Sequence, residues 1–392
     1  MGLAAGAVLL GWMVLALLAT LAPALYLRLL RRPQPQPAAW PPILVLVPVR
    51  GAAPLLPEFL AALAAQDHPA WRVAFAVESA ADPAFAPLAR FAAARPGQAS
   101  VVLAGAAARR GQKVHNLLAA LAALRPEDAA LVTLDADMVP PPGLLTQLVR
   151  PLLTGQGDIA TGYRWTLPGG PGIAAALLAL IDMGIATLPR CARCNLCWGG
   201  ATAISRAALA RLDLPRLWDR AISDDLALSL GARAAGLRIY APLTVRPPGP
   251  VAPGLRAALG FGRRQYRLVR LHAPGVWALA GLFLVLPAAG GAVALAAVAT
   301  GSGAALAWLG AALLLQRLRA GLRAAIAREV LPPGAAALAA RTLRRGLWLG
   351  PAAHGLHLLA WLASSFGAEL AWAGRRYRLA ANGSVRAVLR QG

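Results

Sequence analysis

Asp135-Ala136-Asp137 sets two carboxylates two residues apart, after an apolar run and before Met138-Val139-Pro140-Pro141. Hard oxygens on such a turn suit Mg²⁺ or Mn²⁺, which can bridge onward to diphosphate oxygens. A solvated turn or helix cap is the plainer use of the same residues. Further along, Ser223-Asp224-Asp225 precedes the helical run Leu226-Ala227-Leu228-Ser229-Leu230. Adjacent carboxylates raise each other's proton affinity, which lets one act as a base near neutral pH. Ser and Asp before a helix also cap it, and in isolation capping is the commoner role.

Smaller signals accompany these two. Glu78 and Asp82 follow a second apolar run and can accept hydrogen bonds from a nucleobase or ribose, although Asp82-Pro83 also suits a helix start. Lys113, the only Lys of the chain, stands in Gly111-Gln112-Lys113-Val114-His115-Asn116 beside a helix start. A cation next to free backbone N–H groups suits a phosphate; a surface lysine is the alternative. Trp198-Gly199-Gly200 joins a large ring to a permissive backbone, as a substrate loop or a packing turn would. In Arg263-Arg264-Gln265-Tyr266-Arg267-Leu268, the residues Arg264, Gln265 and Arg267 can hold a diphosphate, or face lipid headgroups. Cys191, Cys194 and Cys197 form CxxCxxC with no fourth Cys in the chain, so three reduced, partly buried thiols are expected rather than zinc or an iron–sulfur cluster.

The elements that must position these groups follow from texture. Short apolar runs at 43–48, 71–77, 100–103 and 130–134 read as buried strands, and helical spacing occupies 54–66, 84–95 and 116–124. Alternation of this kind predicts an α/β domain with a mostly parallel sheet covered by helices. Ligands of such sheets bind beyond the carboxyl ends of the strands, where Glu78 and Asp135 fall.

Composition frames this domain. Of 392 residues, 58% are hydrophobic and 14% charged, and 39 Lys+Arg oppose 16 Asp+Glu for a net charge of +23. That is too apolar for a wholly soluble chain, and it excludes disorder. Residues 1–39 carry three Arg and no acid, and 273–392 carry twelve Arg against Glu329 and Glu369, so fourteen acids fall in 40–272. Basic residues close apolar runs, as at Arg28, Arg31 and Arg32 and again at Arg317, Arg319 and Arg323, which fits a cytoplasmic membrane face. Basic residues interleaved with aromatics on one domain are missing, so no nucleic acid is expected as partner. The organisation expected is a transmembrane anchor at 1–32, a Pro/Gln linker at 33–39, a cytoplasmic catalytic domain at 40–272, C-terminal membrane helices within 273–372 and a basic tail at 373–392. Spans are expected at 274–299, 303–316 and 347–372, the last interrupted by Gly350, Pro351, His354 and His357. Three spans would put Arg375, Arg376 and Arg378 outside, so one stretch is expected to be interfacial or a hairpin.

The order of the motifs resembles the family 2 and family 21 glycosyltransferases, most closely the ceramide glucosyltransferase-like branch with its bacterial hopanoid-associated members. Val77-Glu78, Asp82-Pro83 and Gly111-Gln112-Lys113-Val114-His115-Asn116-Leu117 carry the likeness most strongly. The resemblance implies a GT-A-like fold and an inverting transfer from a nucleotide sugar, UDP-linked, to a ceramide- or hopanoid-type lipid hydroxyl at the cytoplasmic (inner) membrane. It implies nucleoside contacts for Glu78 and Asp82, a nucleotide contact for Lys113, nucleotide and metal binding at Asp135 and Asp137 with Mg²⁺ or Mn²⁺, and Asp225, beside Asp224, as base. Arg264, Gln265 and Arg267 match the family's (Q/R)xxRW motif, with Leu268 in place of Trp. The tail at 372–377 resembles a short cytoplasmic strand of bacterial relatives. Two rivals differ in kind: a processive polysaccharide synthase, which needs a channel-forming helix bundle, and a noncatalytic membrane scaffold or transporter subunit.

Overall fold

Five residues in a row, Ile43–Val47, are wholly buried, as a β-branched run between two helical layers must be. The computed structural model describes residues 2–367, 369–372 and 374–389. Its helices and strands run, in chain order, α1 (Leu3–Leu30), β1 (Ile43–Pro48), α2 (Leu56–Ala64), β2 (Trp71–Val77), α3 (Phe85–Ala93), β3 (Ala99–Leu103), α4 (Gln112–Ala120), β4 (Ala130–Leu134), α5 (Leu144–Leu153), β5 (Ile159–Thr161), β6 (Trp165–Pro168) and α6 (Ile173–Ala186). There follow β7 (Ala201–Ser205), α7 (Arg206–Arg211), α8 (Leu214–Leu217), α9 (Asp224–Ala234), β8 (Ile239–Tyr240), β9 (Pro248–Val251), α10 (Leu255–His272), α11 (Pro274–Ala299), α12 (Gly303–Val330), α13 (Pro333–Ala363), β10 (Glu369–Trp372), β11 (Arg375–Leu379) and β12 (Val385–Leu389).

The chain forms two compact units. The α/β unit comprises 33–164, 190–249 and 368–392. Its seven-stranded sheet has the order β3-β2-β1-β4-β7-β5-β8. Strands β3, β2, β1 and β4 are parallel, as are β5 and β8, while β7 runs antiparallel between β4 and β5. The mostly parallel sheet expected from the sequence is therefore present. Side-chain alternation sorts the core: Ile43, Val45 and Val47 join α2, α3 and α5 on one face, and Leu44 and Leu46 join α4 and α9 on the other. Each such buried aliphatic side chain contributes roughly 1.5–3 kcal/mol. The C-terminal strands form a separate antiparallel sheet, β10-β11-β12, within this unit. Ala373 and residues 390–392 of the basic tail lie outside the described residues.

The apolar unit comprises 1–32, 165–189 and 250–367. Residues 165–189, inside the 40–272 segment by sequence, cluster with these helices because α6 is apolar along nearly its whole length and packs on α13. Helix α1 packs on α11 and α12. Glycines allow close approach: a Cβ on Gly290 would lie 2.6 Å from Trp12 Cβ, and one on Gly281 would lie 2.3 Å from the Trp361 ring. Trp361 stacks on Trp277 with ring centroids 4.7 Å apart. Two details differ from the spans expected. Helix α12 does not stop near 316 but continues to Val330, since Ala, Leu and Arg all favour helix and no proline interrupts it before Pro332-Pro333. Helix α13 starts at Pro333 and passes unbroken through Gly350, Pro351, His354 and His357. Among the described residues, two helices are long and apolar enough to cross a membrane, α1 and α11.

Candidate active site

The chemistry-bearing motifs meet at the carboxyl edge of the sheet in the α/β unit. Strand β4 is buried to its end and delivers Asp135, whose N–H donates to Gly200 O at 3.0 Å. Helix α4 starts beside it. The polar side chains of its first turns lock it there: Gln112 Oε1 accepts from Ala107 N–H, Gln112 Nε2 donates to Gly105 O and Asn116 Oδ1, and Asn116 Nδ2 donates to Ala76 O at 3.1 Å. Gly111 N–H donates to Ala221 O at 2.8 Å, and a Cβ on Gly111 would sit 2.5 Å from Ile222 O. Only a glycine lets the segment before α9 approach the start of α4 this closely. The N-termini of two helices, at Gln112 and Asp224, therefore adjoin, and both present the positive ends of their dipoles.

Lys113 ties the motifs together. Its Nζ lies 2.8 Å from Asp135 Oδ1 and 3.2 Å from Asp224 Oδ1, and donates to Gly199 O at 2.9 Å. An ammonium has three donors, and all three are spent on protein acceptors. Lys113 thereby organises the three motifs around a single ammonium. Asp225 is held from the other side: Oδ2 accepts from Gly199 N–H at 2.9 Å, and Oδ1 accepts from Leu226 N–H at 2.8 Å and from the Ser223 hydroxyl. Ser223 also caps α9, its side chain accepting from Leu226 N–H.

Electrostatics follow from burial. Asp224 is 4% exposed, and burial raises its pKa, Lys113 opposing and Asp225 adding. Burial likewise pushes Asp135 up to about 7, against the pull of Lys113 and with further push from Asp137 and Asp224. Burial alone would lower Lys113, but Asp135, Asp224 and Asp225 outweigh it and hold the ammonium above the usual lysine range.

Trp198 N–H donates to Thr161 Oγ1 at 2.8 Å, and its ring meets Tyr163 at 5.8 Å. A Cβ on Gly199 would lie 2.6 Å from Lys113 Nζ and 3.0 Å from Asp224 Oδ2, and one on Gly200 would collide with the Trp198 ring. Gly199→Ala is therefore expected to fold, because a flexible Lys tip can shift, and to lose about 10²-fold in turnover through displaced groups. Initial rates set against thermal unfolding check this, and a normal rate would contradict it.

Asp137, with 65% of its side chain exposed, faces Arg164 Nη1 at 3.6 Å. Among the described residues no three His, Cys, Asp or Glu side chains converge as a closed metal cage. An exposed Asp137 beside Asp135 is instead the donor set suited to Mg²⁺ or Mn²⁺ completed by substrate phosphates and water. Glu78 pairs with Arg375, Nη2 to Oε1 2.6 Å. Asp82 spends its carboxylate on the backbone, accepting from Gly51 N–H at 2.9 and 3.0 Å and from Ala84 N–H at 2.9 Å, which joins the loops after β1 and β2. Cys191 and Cys194 are exposed and only Cys197 is buried, where its N–H donates to Ser229 Oγ and burial pushes the thiol above its usual range.

Arg264, Gln265 and Arg267 belong to α10 of the apolar unit. There Arg267 is 8% exposed and donates to Phe366 O at 2.8 Å, while Arg263 and Arg270 donate to Ala363 O and Ser365 O. These are carbonyls at and just past the end of α13, which a helix end leaves unsatisfied. Within this unit Arg267 thus acts as a cap of the α13 end. Thr161, Tyr163, Arg164, Ser229 and Arg375 contact residues of these motifs without themselves having been marked as site residues by sequence. An Arg among many, or a Thr on a short strand, carries no local signal of a distant partner.

Residues 11–385 match the profile of Glycosyl transferase family 21. No curated protein matches the chain. Among solved structures, similarity extends to the mannosyltransferase PcManGT from Pyrobaculum calidifontis in complex with GDP-Man and Mn²⁺, at 20% identity over 92% of this chain and 99% of that one, TM-score 0.49. It extends also to glucosyl-3-phosphoglycerate synthase from Mycobacterium tuberculosis in complex with Mn²⁺, UDP and glucosyl-3-phosphoglycerate, at 20% identity over 59% and 79%, TM-score 0.38. A third is S. aureus TarS 1-349 in complex with UDP-GlcNAc, at 12% identity over 88% and 98%, TM-score 0.39.

Proposed function

The chain belongs to glycosyl transferase family 21, and from that premise we propose that it transfers a sugar with inversion from a nucleotide sugar to the hydroxyl of a membrane lipid of ceramide or hopanoid type. The observation that carries this reading is the placement of Lys113 Nζ between Asp135, Asp224 and the Gly199 carbonyl. It draws the DxD turn, the acid pair and the WGG loop into one site. A structural accident of three separate caps would not share one cation.

In this mechanism the nucleotide sugar lies at the carboxyl edge of the sheet. Asp137, with Asp135 beside it, would hold the divalent ion, which when bound offsets negative charge on the departing diphosphate. Lys113 keeps Asp135 and Asp224 oriented, and Gly199 N–H keeps Asp225 aimed at the acceptor. The acceptor oxygen bonds to the anomeric carbon as the bond from that carbon to the diphosphate oxygen breaks, and the leaving group departs with the electron pair. The acceptor proton passes to Asp225. One displacement with no covalent sugar–enzyme intermediate inverts the anomeric centre.

The lipid acceptor and inner-membrane location rest on the helical unit. Helices α1 and α11 have the length and composition of spans, and leucines such as Leu10, Leu21, Leu279 and Leu295 are at least half exposed on them. Such apolar surface suits lipid. The test is incubation of the purified chain in detergent with a panel of UDP- and GDP-sugars and with lipid extracts. Nucleoside diphosphate release that depends on the lipid fraction, with a glycolipid product of inverted anomeric configuration, is expected. Release that is equal without lipid, or a polymeric product, would contradict the acceptor assignment.

A further inference from the structure

The C-terminal strands do more than extend a basic tail. Strand β11 brings Arg375 and Tyr377 to the same edge of the α/β unit as Glu78. Arg375 Nη2 lies 2.6 Å from Glu78 Oε1, and Nη1 donates to Ala107 O at 3.4 Å. The pair is mostly shielded, with 14% of the Arg375 side chain and 26% of the Glu78 side chain exposed. Tyr377 is 2% exposed, and its hydroxyl accepts from the N–H of Gln112, the first residue of α4 and the neighbour of Lys113. Val385 N–H donates to Arg220 O at 2.7 Å, which fastens β12 to the loop before α9. The sheet of β10–β12 thus touches the start of α4 and the loop that leads into α9.

Glu78 stands just past the end of β2. One of its oxygens is clamped by the guanidinium, and the other accepts no hydrogen bond among the described residues. A carboxylate fixed in this way offers a directed acceptor to the N–H of a nucleobase or the hydroxyls of a ribose. Without the clamp, the Glu side chain regains rotamer freedom that binding must then remove.

We infer that Arg375 is a positioning residue of the donor site, orienting Glu78 toward the nucleoside half of the nucleotide sugar, so that the C-terminal sheet is part of that site. The inference rests on the function proposed above. It assigns Arg375 no contact with the reacting atoms.

The experiment titrates the full-length chain in detergent with UDP, GDP and inorganic pyrophosphate, each with Mn²⁺, and records thermal unfolding without ligand. The wild type should bind at least one of the two nucleotides. Arg375→Ala should weaken that nucleotide roughly tenfold or more, leave pyrophosphate affinity unchanged, and raise KM with little change in kcat. Arg375→Lys should recover only part, since it keeps the charge and loses the fork. If Arg375→Ala does not fold, Glu78→Gln carries the test, with the same nucleotide-selective loss expected. Nucleotide affinity equal to wild type, or equal losses for nucleotide and pyrophosphate, would overturn the inference while leaving the proposed function standing. A wild type that binds neither nucleotide would overturn both.

Discussion

Asp225→Asn is expected to lower sugar transfer by about 10²–10⁴-fold, the span over which a positioned general base acts, while nucleotide binding stays close to wild type. The substitution nearly preserves shape. An amide oxygen can still accept from Gly199 N–H or Leu226 N–H, the two backbone donors that now hold the carboxylate. It cannot take the proton of an attacking hydroxyl. The direct contacts of Lys113 are kept, because the ion pairs of Nζ run to Asp135 and Asp224, and only the longer-range pull of the Asp225 charge on the ammonium is lost. The check is a steady-state rate with a saturating nucleotide sugar, beside a titration of the same preparation with the nucleoside diphosphate. Normal turnover by the variant would refute Asp225 as base. Loss of rate together with loss of nucleotide binding would mean that the acid pair serves the donor instead.

Lys113→Met carries the second large effect, and on stability as well as rate. Asp224 is nearly inaccessible, and the Asp135 side chain is 27% exposed. Removing the shared cation leaves two carboxylates largely desolvated and mutually repelling, a change that costs about 3 kcal/mol or more where a buried pair is broken. The pH dependence has a definite sign. Burial already raises both carboxyl pKa values above the unfolded carboxylate value, so stability from these groups is present at low pH and lost as they ionise. Without Lys113 that penalty grows. The Tm deficit of the variant relative to wild type should therefore be greatest at alkaline pH and shrink as pH falls toward 5. A deficit independent of pH would show that Lys113 acts by packing rather than by charge.

The parts of the fold legible in the sequence were those set by local texture. Strands β1, β2 and β4 were marked by their buried apolar runs, and Asp135 could be placed at a strand end because β4 stops there. The insertion of β7 antiparallel between β4 and β5 was not legible, since it depends on pairing Leu134 with Ala201 across a long stretch of chain. The same holds for the site. Both acidic motifs and the WGG loop carried type and spacing, but nothing near Lys113 indicates that its partners are Asp135, Asp224 and Gly199. Arg267 shows the reverse case. Its motif was readable, yet the unsatisfied carbonyls that follow α13 claim its guanidinium, a demand that only the packed helices create. Glu369 and Glu329, two acids in an otherwise basic region, are each placed by one arginine, Arg378 and Arg31.

The central claim is that a nucleotide sugar binds at the carboxyl edge of the sheet with a divalent ion on the Asp135–Asp137 turn. Calorimetric titration of wild type and Asp137→Asn with UDP and with GDP, each with Mn²⁺ and again with a chelator, tests it most directly. The account predicts that the wild type binds one of the two tightly only when Mn²⁺ is present, and that Asp137→Asn loses this metal-dependent gain. Affinity that is the same with chelator as with Mn²⁺, or that survives unchanged in Asp137→Asn, would contradict it.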